Sequence, residues 1–337
     1  MNHASRITHH ASDTQDDTPS SVVRRPSSVA TIIINYNYGR FLGEAIESVL
    51  AQTLRPDEII VVDDGSTDDS AEVAARYAQE GVRYIYKENG GQSSACNVGI
   101  KESASELVTF LDADDRWLPD KIERQVEHLR SYPEVGLVTG SEWETDEAGR
   151  KVWLMERKGV ASASLYPRIL VENYIGTPSL VMIRRECFNG VGVFDEKIRL
   201  AQDWDMWIRV AREYPIAVLG EPLILYRRHN ASISAGSGST WKRYFSNRAF
   251  QRKHIRPVRP ALTRVKLLAA AQSMNLFYTA ASLADTGTRR GTTFWLALLS
   301  ALLDPTYQGK LKLGLVMRTA LGKNAFKLLR RVLPARP

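Results

Sequence analysis

The chain has 337 residues with a formal net charge of +7; 25% are charged and 44% hydrophobic, enough to build one large core plus an appendage. Its two cysteines, Cys96 and Cys187, exclude a disulfide framework and suit a reducing cytoplasm. The charge is segregated: Thr240–Pro337 carries 19 Lys and Arg against two acids, Asp285 and Asp304, so the rest of the chain is net acidic. No recognised nucleic-acid-binding motif accompanies the basic part, which argues against DNA or RNA as a partner.

In chain order, Met1–Ser28 is rich in Ser, Thr, Asp and His without apolar periodicity. It reads as a disordered tail and lacks the apolar core of a signal peptide. A metal site at His3, His9 and His10 is a weaker reading than a solvated tail. Ala30–Asn35 (ATIIIN) is a β-branched run, and Arg40–Gln52 sets Phe41, Leu42, Ala45, Ile46, Val49 and Leu50 on one helical face. Glu58–Asp63 reads as a second strand, Thr67–Gln79 as a second helix, Val82–Lys87 as a third strand, Ser93–Ser103 as a short helix and Leu107–Leu111 as a fourth strand. Pro119–Arg130 reads as a helix with Pro in its first turn, where a missing N–H costs nothing, and Val135–Gly140 as a fifth strand. Strands alternating with helices at this interval predict βαβ units: an α/β fold whose mostly parallel central sheet is flanked by helices.

Sheets of this kind bind ligands beyond the carboxyl ends of their strands, and polar residues collect there. Asn35, Tyr36 and Asn37 follow the first strand, Asp63, Asp64, Gly65 and Ser66 the second, Asn89, Gly90 and Gly91 the third. The fourth ends in FLDADD (Phe110–Asp115), with three carboxylates in four positions. That much negative charge in one small volume is costly without a compensating cation. Oxygen ligands from a short loop suit Mn²⁺ or Mg²⁺ with positions left open for phosphate oxygens; the alternative is a solvated acidic turn capping the next helix. The first turn reads NYNYGR rather than GxGxxG, which argues against NAD or FAD.

The Thr240–Pro337 region interleaves its charges with apolar helical stretches at Leu262–Leu283, Thr292–Leu303 and Leu311–Leu333. Thr292–Leu303 is too short to span a bilayer, which takes about 20 residues. Basic amphipathic helices carrying Trp295 fit an anionic membrane surface; the alternative is a helical appendage packed on the main domain with a solvated basic face. The expected organisation is therefore a tail to Ser28, a main domain from Val29 to Ser239 and a basic helical region from Thr240 to Pro337.

The run IIINYNYGRFLGEAIESVLAQTLRPDEIIVVDDGSTDDS, then NGGQSSACNVGI, FLDADD, FDEKIRLAQDWDMWIRVA and EPLILYRRHNASIS, resembles the family 2 glycosyltransferases of GT-A fold. The resemblance covers about Val29–Ser234. It implies that the backbone at Asn35, Tyr36 and Asn37 and the side chain of Asp64 hold the nucleotide, with Gly91 and Asn97 also lining the donor site. It further implies that Asp112 reaches the ribose or a metal-bound water, that Asp114 ligates the metal and that Asp203 is the catalytic base. His229, in YRRH, matches a position that in some members helps hold metal or diphosphate. Asp63 or Asp64 could instead cap the helix near Thr67; Asp203 could cap the Trp204–Arg212 helix, with Asp205 as competing base; His229 could be a surface residue. Two departures stand out: Gln202 replaces an acidic residue that often precedes the base, and Cys96 replaces an Arg that pairs with diphosphate, leaving Arg227 and Arg228 as alternative sources of charge. The implied reaction is metal-dependent, inverting sugar transfer from a nucleotide-sugar donor to a glycan or lipid-linked acceptor in cell-envelope polysaccharide synthesis, in the cytoplasm or on the inner face of the plasma membrane. The rivals are a catalytically silent nucleotide-sugar-binding subunit and a nucleotidyltransferase, whose usual Gly-rich phosphate loop is missing here.

Overall fold

The computed structural model describes residues 27–229, 239–285, 290–305 and 309–321. The expected tail at Met1–Ser28 falls almost entirely outside these residues, as does the latter part of the Leu311–Leu333 stretch. A ten-stranded sheet organises the chain. β1 (Val29–Asn35) is buried along its whole length, as its β-branched run requires of a strand covered on both faces. It pairs in parallel with β2 (Glu58–Asp63) on one side and β4 (Leu107–Asp112) on the other, and β3 (Val82–Tyr86) extends the parallel set beyond β2. Helices α1 (Gly39–Leu50), α2 (Ser70–Ala75), α3 (Gln92–Glu102) and α4 (Lys121–Ser131) connect and cover these strands. α1 turns Phe41, Leu42, Ala45, Ile46 and Val49 into the core, as its spacing predicts.

The strand order β3-β2-β1-β4 reverses direction between β1 and β4. That reversal opens a crevice at their carboxyl ends and brings Asn35–Asn37 beside Asp112–Asp115. The other half of the sheet is mixed rather than parallel. β9 (Met182–Arg184) is antiparallel to both β4 and β6 (Leu137–Thr145), and β10 (Ile216–Arg227) is parallel to β6. Short β5 (Arg116–Trp117) and β8 (Val160–Ala163) run antiparallel to β10, and β7 (Lys151–Met155) antiparallel to β6.

Several boundaries differ from expectation. The second helix stops at Ala75, and a 3₁₀ turn at Ala78–Glu80 ends on Gly81 in the left-handed region. Pro119 precedes α4 rather than entering it; its carbonyl accepts from Thr53 N–H. The fifth strand runs to Thr145, because β10 stays beside it past the register shifts around Pro222.

The boundary at Ser239 does not separate independent units. α5 (Arg185–Val191) and α6 (Gln202–Glu213) lead to β10, and α7 (Ser239–Ile255) folds back onto α6. Phe250 packs on Trp204 with ring centroids 5.3 Å apart, and Phe250, Ile255 and Val258 join the main core cluster. Gln251 donates to the Val171 carbonyl and His254 Nε2 meets Asp205 Oδ1 at 2.8 Å. Burying three such apolar side chains contributes several kcal/mol, about 1.5–3 each, against a total stability of roughly 5–15. α7 is therefore part of the main domain, and a cut after Ser239 would strip its core. Beyond it, α8 (Ala261–Asp285), α9 (Arg290–Leu303) and α10 (Gly309–Leu321) form a smaller cluster around Ala280, Ala297 and Leu315. Among the described residues no helix is long and apolar enough to cross a membrane.

Candidate active site

The three carboxylates after β4 take different directions. Asp115 turns inward and is buried; its Oδ2 accepts from Ser179 Oγ at 2.7 Å and its Oδ1 from the Arg227 N–H at 3.0 Å. Burial, then the charges of Asp114 and Asp112, hold it well above the usual carboxylate range. Asp115 is thus a fastener tying the β4 tip to β10. Asp114 faces the crevice, with Oδ2 3.0 Å from His229 Nε2. Asp112 is half-buried; its Oδ1 accepts from Gln92 Nε2 at 2.7 Å and its N–H donates to Ser179 Oγ. Burial and the Asp114 charge push its carboxyl up to about 7.

Arg227 does not face the crevice, contrary to the sequence reading. Its guanidinium donates to the Asp114 and Glu147 carbonyls and to Glu44 Oε2, and it lies 4.5 Å over the Phe41 ring. It is 3% exposed; its work is to hold the aspartate turn. Arg228 pairs with Glu144. His229 is packed between Tyr38 and Phe41, and its buried Nδ1 has no partner. Burial, then Asp114 and Asp112, raise the Tyr38 phenol to about 12.

The first three strand ends form a rigid rim. The buried Asn35 side chain donates to Asp63 Oδ2 and Ser66 Oγ, so it is internal rather than free for a ligand. Asn37 sits at φ 56°, its N–H on Ser66 Oγ and its Oδ1 taking the Thr67 N–H. Tyr36 between them is 48% exposed and open to a ligand. Asp64 accepts from Gly90 and Gly91 N–H, at 2.9 and 2.7 Å, and from Lys87 Nζ at 2.5 Å. The capping alternative near Thr67 fails, since Asp69 occupies the N-cap position of α2. Asn97 is corrected: its Nδ2 donates to the Phe194 carbonyl and Glu196 Oε1, and its Oδ1 accepts the Phe194 N–H. It clamps the loop before α6 and does not line the crevice.

On the facing side, Asp203 opens α6 after Ala201, which sits in the left-handed region at φ 62°. Its Oδ1 accepts from the Trp204 N–H at 2.7 Å and its Oδ2 from Asn173 Nδ2 at 3.4 Å. Burial pushes this carboxyl up to about 6, near the range a general base needs. Asp205 is no competitor: it is buried between His254 and Arg209, and although burial would raise it, those two partners hold it below the ordinary range. Gln202 Nε2 donates to Gln92 Oε1, and Gln92 in turn to Asp112, so two carboxamides join the start of α6 to the β4 tip. Cys96 and Cys187 are buried, and burial raises both thiols; neither is a nucleophile. Gln92, Ser179 and Asn173 were absent from the residues singled out by sequence. Gln92 lay within NGGQSSACN, but Ser179 and Asn173 sit in a connecting segment with no motif around them.

A divalent cation fits this donor set. Asp114 and His229 would hold it, with Asp112 close by. Among the described residues no group of three or more His, Cys, Asp or Glu side chains is placed to hold a metal ion, so an ion at these two donors would need oxygens from its ligand, as Mn²⁺ and Mg²⁺ accept. His229 Nε2 meets Asp114 Oδ2, while its buried Nδ1 has no partner among the described residues.

The raised carboxyl of Asp203 has a stability consequence of definite sign. Its folded-state value lies above the ordinary 3.8, so its favourable contribution exists only at low pH and is lost as pH rises through about 6. Asp203→Asn in ligand-free protein should therefore melt higher than wild type at pH 8, by on the order of 3 kcal/mol at most, with the difference vanishing near pH 4. Equal melting at both pH values would mean that the carboxyl is not strained by burial.

Residues 30–192 match Glycosyl transferase family 2. A glycosyltransferase of Rickettsia conorii is 36% identical over 64% of this chain and 36% of its own length. One of Rickettsia typhi is 34% identical over 61% of this chain and 65% of its own length. The matched segment thus spans less than two thirds of either relative. In structure, S. aureus TarS 1-349 in complex with UDP-GlcNAc superposes with a TM-score of 0.64 at 17% identity, covering 92% of this chain and 93% of TarS 1-349. Mannosyltransferase PcManGT from Pyrobaculum calidifontis, in complex with GDP-Man and Mn²⁺, gives 0.55 at 18% identity, covering 90% of this chain and 88% of PcManGT. The fold is therefore GT-A, and residues 30–192 carry the match to glycosyltransferase family 2.

Proposed function

We propose that this chain is a metal-dependent, inverting glycosyltransferase that moves a sugar from a nucleotide-diphosphate donor to a glycan or lipid-linked acceptor. The observation that carries this reading is the crevice itself. Asp112 and Asp114 lie on one wall and Asp203 on the other, and the Gln202–Gln92 bridge fixes their spacing. The rim at Tyr36 and Asn37 takes the nucleoside, with Asp64 shaping the glycine turn beside it. A cation held by Asp114 and His229 would offset the charge that builds on the leaving diphosphate. Asp203 takes the acceptor hydroxyl's proton as that oxygen bonds to the anomeric carbon and the bond to the diphosphate oxygen breaks. Attack from the face opposite the leaving group inverts the centre, and no covalent enzyme intermediate is required. TarS and PcManGT were captured with different nucleotides, UDP-GlcNAc and GDP-Man, so the base is left open.

Nucleoside diphosphate release, followed over a panel of nucleotide sugars with Mn²⁺, tests the reading. Asp203→Asn should retain donor binding while transfer falls by roughly 10²–10⁴-fold. Asp114→Asn should abolish metal-dependent donor binding with the fold intact. A wild-type chain that binds donors without ever releasing nucleoside diphosphate would be the silent binding subunit instead.

We also propose that the acceptor is met at an anionic membrane surface. α9 exposes Trp295, Leu299 and Leu302, with i, i+4, i+7 spacing on one side, and α10 exposes Leu313. Lys and Arg near anionic headgroups contribute on the order of 1 kcal/mol each. The full-length protein should sediment with anionic vesicles at low salt and release near 0.5 M. Trp295→Ser with Leu302→Ser should weaken binding without changing the melting temperature. Indifference to anionic vesicles at low salt would remove the membrane from the account.

A further inference from the structure

The β6–β7 hairpin contributes nothing to the donor rim, yet it is tied to both walls of the crevice. Val138 of β6 and Thr109 of β4 share Met182 of β9 as their ladder partner, so Ser141 stands level with Asp112 and residues 142–145 overhang the β4 tip. On the metal side, Glu144 pairs with Arg228, the residue before His229, and the Arg228 N–H donates to the Thr145 carbonyl. On the base side, Arg157, two residues past β7, donates to the Tyr174 and Gly140 carbonyls and lies 3.6 Å from Glu142. That fixes the turn in which the Gly176 N–H donates to Asn173 Oδ1 and Asn173 Nδ2 reaches Asp203.

One face of this hairpin is unfilled. Glu144 stands directly opposite Trp153, and Glu142 opposite Met155, so the four share a face. Trp153 is 63% exposed and Met155 41%, and among the described residues the indole has no ring, cation or hydrogen-bond partner. Contiguous apolar groups left in water mark a binding surface. The charges beside them are balanced internally: Glu142 with Arg157, Glu144 with Arg228, Asp146 with Arg150 and Glu147 with Arg40. Such a face has little spare charge for an anionic lipid or a nucleic acid. It suits a sugar ring, whose apolar C–H face can lie on the electron-rich indole while its hydroxyls donate to the free lone pairs of the carboxylates.

We propose that this face, with Trp153 as its platform and Glu144 at its edge, binds a neutral sugar unit of the acceptor at the mouth of the crevice. This deepens the glycosyl-transfer reading and rests on it. The acceptor is then recognised through a sugar ring, whether or not a lipid carries that sugar. The ties to Arg228 and to the Asn173 turn hold the platform at a fixed distance from both the metal wall and the base.

An array of neutral glucose, galactose, mannose and N-acetylglucosamine oligosaccharides, probed with the full chain, tests the subsite. Wild type should be retained on at least one of them, and Trp153→Ala should weaken that binding by roughly tenfold or more. Trp153→Phe should recover part of the loss. Calorimetric affinity for UDP and GDP with Mn²⁺, and the melting temperature, should not move in either variant. The captured oligosaccharide should speed nucleoside diphosphate release from a nucleotide sugar, and Trp153→Ala should raise its half-saturating concentration by the same factor. The subsite is overturned, with the donor reading left in place, if no oligosaccharide is retained or if Trp153→Ala binds as wild type does. Capture that leaves release unaccelerated, or a variant that loses nucleotide and glycan together, overturns it equally. If wild type binds neither UDP nor GDP with Mn²⁺, the donor reading falls and the acceptor role of this face falls with it.

Discussion

The charge packed at the tip of β4 is the constraint around which the rest is arranged. Like charges a few ångströms apart at an effective dielectric of about 20 repel by roughly 4 kcal/mol, a large fraction of a domain's net stability. The fold meets this cost in two ways. Asp115 is turned inward, where Ser179 and the Arg227 amide fasten it. Asp112 and Asp114 are left facing the crevice, with a Gln and a His as neighbours rather than a Lys or Arg. Arg227 could have neutralised them, yet its guanidinium points away into Glu44 and two carbonyls. Under the proposed function, a cation arriving with the substrate would offset these carboxylates.

The opposite wall is rigid for a different reason. α6 presents Asp203 at its first turn, and two anchors fix its orientation. Asp205, two residues further along, is locked to His254 of α7 and to Arg209, whose guanidinium also caps the carbonyls of Val191 and Val193. Trp204 packs on Phe250 and donates to the Ile169 carbonyl. The helix that begins the basic region therefore helps fix the start of α6, where Asp203 sits. The two aspartates of QDWD differ in role: Asp205 is buried and paired with His254 and Arg209, while burial raises the Asp203 carboxyl, which faces the crevice. A like contrast recurs in FLDADD, where Asp115 fastens the turn to Ser179 and β10 while Asp112 and Asp114 face the crevice.

Much of this was legible in the sequence because buried parallel strands must be apolar throughout. The runs at Ala30–Asn35, Glu58–Asp63 and Leu107–Leu111 mark β1, β2 and β4 within one residue, and the polar residues after them mark the crevice. What could not be read was direction. Arg227 and Asn97 have the right chemistry for a ligand, but partners distant in sequence, Glu44 and Phe194, turn them inward. β9 is three residues long and leaves no periodicity to detect. Ser179 and Asn173 reach the site from a connection whose path only the tertiary fold determines. The contacts of α7 were also illegible: its charge points to the basic region, while Phe250 and Ile255 join the main core cluster.

In the proposed reaction a divalent cation and a nucleoside diphosphate would complete the Asp112–Asp114 wall together. The most direct measurement is calorimetric titration of Mn²⁺ into the wild-type protein, with and without a saturating nucleoside diphosphate. Two protein ligands leave the ion under-coordinated, so Mn²⁺ should bind weakly alone and at least tenfold more tightly with the nucleotide present, the two ligands raising each other's affinity by the same factor. Mn²⁺ affinity that is identical with and without nucleotide, after correction for the ion's own binding to the nucleotide in solution, would contradict it.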